Sequence, residues 1–144
     1  RDDRRKTDIH NITKALELYY SDNNAYPLST GTASALGSMW YSSGDTSWTV
    51  FSSTLTGAGA ISTVPSDPSP MTSLAPWVSN GYQYTYIANG TCGTMPQGQW
   101  YLLVWRHESS PQSKTSIGGS GCTTNSYVTT DNAGGASYYL FSRT

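Results

Sequence analysis

Apolar residues recur with a helical period only at the start of the chain. Ile9, Ile12, Leu16 and Tyr19 follow one another at steps of 3, 4 and 3, with Ala15 and Tyr20 alongside. On a helix, Ile9, Ile12, Leu16, Tyr19 and Tyr20 fall within an arc of about 100°, and Leu18 lies well outside it. This pattern predicts an amphipathic helix over residues 1–24 that packs one stripe on a core. It ends at Ser21, Asp22, Asn23 and Asn24, which are poor helix-interior residues, ahead of Tyr26 and Pro27.

The period changes in the second half. Residues 81–88 alternate, with Tyr82, Tyr84 and Tyr86 on one face and Gln83, Thr85 and Ile87 on the other. Residues 99–107 carry Trp100-Tyr101-Leu102-Leu103-Val104-Trp105, apolar on both faces, and so predict a central strand covered on both sides. Residues 136–143 set Tyr138 and Leu140 against Tyr139 and Phe141. Three such runs joined by Gly- and Asn-bearing loops predict an antiparallel meander. The expected fold is α+β in two layers: one N-terminal helix on a sheet of three or four antiparallel strands, with Leu102 and Val104 meeting the helix stripe.

Between the helix and the sheet, residues 25–80 form a long connecting region rich in Ser, Thr and Gly. Residues 47–52 resemble a short strand there, and Pro65, Pro68 and Pro70 force extended or turning backbone. A connection of this length inside one domain implies a functional surface or short hidden elements. At 144 residues the whole chain fits one domain.

Charge is scarce and lopsided. Only 12% of residues are charged, and residues 1–22 hold five basic and five acidic side chains. The net charge of −1 provides no field for nucleic acid or an anionic membrane. Arg4, Arg5 and Lys6 interleave with Asp2, Asp3 and Asp8, as on a solvated helix face with i,i+4 pairs such as Arg4 with Asp8. Hydroxyls replace the missing charge, 22 Ser and 19 Thr, a composition suited to the cell exterior. Cys92 and Cys122, 30 residues apart, suit a disulfide, two free buried thiols being the alternative.

Catalytic patterns are absent from the sequence. Gly118-Gly119-Ser120-Gly121 lacks the lysine of a phosphate loop, and neither His10 nor His107 sits in a triad motif. Asp45, Asp67, Glu108 and Asp131 show no pairing suited to glycoside cleavage and read as turn and edge carboxylates. Asp131 with Asn132 offers too few acidic ligands for Ca²⁺, so no cofactor is expected. Tyr82, Tyr84 and Tyr86 suit either cross-strand packing, which is favoured, or stacking on sugars. The sequons at Asn11 and Asn89 are coincidental in a chain this rich in Thr.

Residues 1–27, ending in Ala15-Leu16-Glu17-Leu18-Tyr19-Tyr20, a polar turn and Tyr26-Pro27, resemble a segment of type IV pilins and type II secretion major pseudopilins. The segment in question follows the membrane-spanning half of their first helix. Val64-Pro65-Ser66-Asp67-Pro68, followed by Gly81-Tyr82-Gln83-Tyr84, is similar to the pseudopilin Pro-x-Asp-Pro ahead of a Tyr-x-Tyr strand. The resemblance implies an apolar helix preceding residue 1, roughly 20–25 residues long, that anchors a precursor in the inner membrane. After prepilin-peptidase cleavage, an assembly machinery would stack that helix with those of identical or related subunits in a surface filament. Leu18 would then be an apolar contact for a neighbouring subunit. The calcium site of many pseudopilins is not carried over. The competing expectation is a surface module that binds glycan or another ligand through the aromatic sheet and residues 28–80.

Overall fold

The computed structural model describes residues 1–31, 34–37, 39–109, 114–128 and 134–143. Helix α1 spans Asp2–Asn23 and ends on Asn24, whose left-handed backbone (φ 58°) directs its N–H to the Tyr20 carbonyl. Strand β1 (Trp40–Ser42), helix α2 (Ser47–Gly57) and strands β2 (Thr85–Ile87), β3 (Trp100–Trp105), β4 (Lys114–Gly118) and β5 (Ser137–Ser142) follow. They build an α+β fold around one sheet of order β1-β2-β3-β5-β4.

The sheet departs from the expected meander. Four strands pair antiparallel, but β4 runs parallel to β5, so the sheet has five strands and is mixed. With Lys114, Thr115, Ser116, Ile117 and Gly118, β4 carries one apolar side chain and gives no alternation to read. Gly119 (φ +80°) ends it against β5, where a Cβ would stand 1.9 Å from the Ser142 carbonyl oxygen.

Residues 47–52 belong to a helix, not a strand. Trp48, Phe51 and Leu55 are buried, whereas Val50 is exposed, so the operative period is 3 and 4 rather than 2. The Asp45 carboxylate accepts the Ser47 N–H and supports the helix start. The long connection thus contains two short elements, β1 and α2.

Alternation across the strands divides the core in two. Tyr41, Tyr86, Leu103 and Tyr139 lie in register across the sheet, on the face that meets Ile9, Ile12, Leu16, Phe51 and Leu55 of the helices. Trp40, Ile87, Leu102 and Leu140 form the neighbouring row and point the other way, with Trp100, Val104 and Tyr138. Leu102 and Val104 therefore do not meet the helix; Tyr101 and Leu103 do. All four are apolar, so alternation by itself does not say which pair faces the helix, and the expectation that it was Leu102 and Val104 is corrected. The second face is covered by loops carrying Val128 and the disulfide between Cys92 and Cys122, a third layer that the two-layer expectation lacked. The expectation of a central strand covered on both sides holds for β3.

Candidate functional site

Arg5 occupies the middle of the α1 stripe, one turn ahead of Ile9, and is wholly buried. All five of its N–H donors are engaged. Nε and Nη2 hold the Asp67 carboxylate at 2.9 Å each, Nη2 also reaches Ser69 Oγ at 2.7 Å, and Nη1 donates to Asp2 (2.8 Å) and Glu108 (2.9 Å). Its guanidinium lies 5.0 Å from the centre of the Tyr82 ring. Burial works against its charge, but the surrounding carboxylates prevail and push its pKa up.

The start of α1 is tied to the chain beyond β3 through the same cluster. Asp2 accepts the backbone N–H groups of Glu108 and Ser109, each at 2.9 Å, and the Ser109 hydroxyl at 2.6 Å. Burial raises the Asp2 carboxyl, yet these donors and Arg5 outweigh it and hold it well below the usual carboxylate range. Hydrogen bonding to Arg5 likewise lowers Glu108. Trp105 donates its indole N–H to His107 Nε2 at 3.1 Å, which places the neutral ring's proton on Nδ1, 3.4 Å from Asp2 Oδ1.

A second set of tyrosine contacts ties α1 and the chain just after it to the sheet. Tyr84 donates its hydroxyl to Asp8 at 2.7 Å, Tyr86 to the Pro27 carbonyl at 2.7 Å, and Tyr26 to Glu17 at 2.7 Å. Burial, with Asp8 adding to it, pushes the Tyr84 phenol up. The segments 1–27, 64–68 and 81–84 thus meet on one face of α1, with Arg5 joining Asp67 and Tyr82 directly.

Of the tyrosines considered for ligand stacking, Tyr84 and Tyr86 are fully buried and serve the core; only Tyr82 retains exposure. Ile9, Ile12 and Leu16 are buried as expected, and Tyr19 and Tyr20 pack at the edge of that core. The Arg4 to Asp8 pair forms at 3.5 Å, but the basic run is not uniformly solvated, because Arg5 turns inward. The sequence held the signal: Arg5 lies inside the apolar arc. Asn89 donates its side-chain amide to the Ser29 carbonyl, as a structural residue does. Asp131 and Asn132 lie outside the described residues. Among the described residues there is no cluster of three His, Cys, Asp or Glu side chains suited to a metal, and no helix long and apolar enough to cross a membrane.

Leu18 is 55% exposed. It borders a groove of about 440 Å³ between α1 and the sheet, lined also by Lys14, Glu17, Tyr101, Tyr139 and Phe141. Glu17 and Arg143 bridge at 2.9 Å, and Arg143 lies 4.2 Å from the centre of the Tyr20 ring, so this end of the helix contacts the residue that follows β5. Comparison with protein-family models, curated proteins and solved structures finds no match to the chain.

Proposed function

We propose that the chain is a structural subunit of a type IV filament, either a pilus or a type II secretion pseudopilus. It acts by polymerisation through an apolar helix ahead of α1, of the kind carried by the families that residues 1–27 resemble. The observation that carries the reading is the convergence on α1. The three segments on which the resemblance rests, far apart in the chain, join one another through Arg5, Asp67, Tyr82 and the Asp8 to Tyr84 bond. Such a clasp suits a helix that must transmit load between a filament core and a displayed sheet.

On this reading the precursor sits in the inner membrane, a prepilin peptidase and assembly machinery process it, and its partners are identical or related subunits at the cell surface. The exposed Leu18, beside its apolar groove, is the subunit contact. The test is to express the full-length gene in its native cell, shear the surface and image that fraction with an antibody to this domain. Labelled thin filaments are expected; label confined to a monomeric secreted pool overturns the reading. Leu18→Asp is expected to change the stability of the isolated domain by less than about 0.5 kcal/mol, as exposed substitutions do, while reducing sheared filaments. Wild-type filament yield from this variant would remove Leu18 from the interface.

A further inference from the structure

On the same side of the molecule as the Arg5 cluster, a cleft of about 460 Å³ opens between the start of α2, the turn after β1 and residues 64–71. Its volume lies in the range of small-molecule sites. The half-buried Tyr82 supplies an aromatic wall, with the largely buried Trp48 and Val64 and the exposed Met71 beside it. Both rings are held in place without a ligand: Trp48 donates its indole N–H to the Pro65 carbonyl at 3.0 Å, and Tyr82 is stacked by Arg5. Pre-set walls reduce the ordering that binding requires.

The polar lining narrows the ligand class. Ser52, Ser53 and Ser66 line the cleft, and their hydroxyls make no hydrogen bond among the described residues. Each can donate and accept. The carboxylates are already engaged. Asp67 is sealed behind Arg5, with 2% of its side chain exposed, and Asp45 accepts from the Ala35 and Ser47 N–H groups and the Ser47 hydroxyl. Arg5 itself fills the cation niche between Asp67 and Tyr82, and among the described residues no lysine or arginine lines the cleft, so an anion would face Asp45 without a counter-charge. The Tyr82 ring face for C–H groups, uncommitted hydroxyls and no available positive charge among the described residues suit a neutral polyol with an apolar face.

We propose that this cleft binds a neutral saccharide of one or two pyranose rings. The inference goes beyond the filament reading and does not depend on it, since it is tested on the isolated folded chain. Amide chemical shifts of the ¹⁵N-labelled chain are followed during titration with glucose, galactose, mannose, N-acetylglucosamine, cellobiose and lactose, with glucuronate as the anionic comparator. At least one neutral sugar is expected to move amides of residues 43–53, 64–71 and 82 selectively, and glucuronate to bind at least about tenfold more weakly than glucose. Ser53→Trp, on an exposed position of α2, should fill the cleft and weaken binding at least about tenfold with the remaining spectrum in place. Ser66→Tyr does the same from the opposite wall should Ser53→Trp fail to fold. No selective shift with any neutral sugar, shifts centred elsewhere, or binding undiminished in the cleft-filling variants each overturn the proposal.

Discussion

Arg5 stands in a position that periodicity reserves for an apolar side chain, and its burial is sustained because every donor on its guanidinium has an oxygen partner. Removing the charge leaves Asp67 buried and unpaired, so Arg5→Ala is expected to cost about 3–5 kcal/mol in a urea melt. Arg5→Lys should recover only part of that, since an ammonium cannot present the paired donors that hold Asp67. A loss for Arg5→Ala within about 0.5 kcal/mol of zero would show the cluster to be a surface network. Neighbouring groups set a pH dependence. His107 is lowered from 6.5, by burial first and partly against the pull of Asp2, and only its neutral ring accepts the Trp105 N–H. The folded state then binds fewer protons than the unfolded chain just below pH 6.5, so stability falls as the pH drops through that region. The depressed Asp2 and Glu108 carboxyls contribute stability above their unfolded values of 3.8 and 4.5, lost as pH falls toward their lower folded values. Urea midpoints measured against pH should show a shallow decline below 6.5 and a steeper one in strong acid. His107→Gln should abolish the first step and spare the second. An unchanged shallow step in that variant would assign it elsewhere.

Helix α2 shows how a short element is decided by packing. Trp48, Val50 and Phe51 fit a strand over six residues, but the sequence continues to Leu55, and Trp48, Phe51 and Leu55 then share one helical face against Tyr41 and Tyr86. Leu55→Ala is expected to cost about 2–5 kcal/mol by opening a cavity. Val50→Ala, on the exposed face, should cost under about 0.5 kcal/mol. The reverse ranking in thermal or chemical melts would indicate a strand that buries Val50. Strands β3 and β5 were legible because unbroken apolar runs, six residues in β3 and the four from Tyr138 to Phe141 in β5, outlast any turn. Strand β4 was not, because one apolar residue in five gives no alternation to read, and its place follows from its parallel pairing with β5.

The molecule as a whole is a sheet buried on both faces, by two helices on one side and loops on the other. The loop layer has few elements of its own to hold it, so the bond between Cys92 and Cys122, closing a separation of 30 residues, takes that role. By loop-closure entropy, its reduction should lower the unfolding free energy by about 3–4 kcal/mol, read as a shifted urea midpoint with dithiothreitol present. No shift would place the stability of that face in Trp40, Trp100 and Leu140 alone. Local periodicity determined the α1 stripe, the β3 and β5 strands and the order helix, connection, sheet, because residues that share a face recur at fixed intervals along the chain. Which face of β3 meets the helix, the parallel docking of β4, and the choice of Asp67 and Glu108 as partners for Arg5 were decided only in the tertiary structure. Those contacts join residues 62 and 103 positions apart, a separation at which no local period carries information.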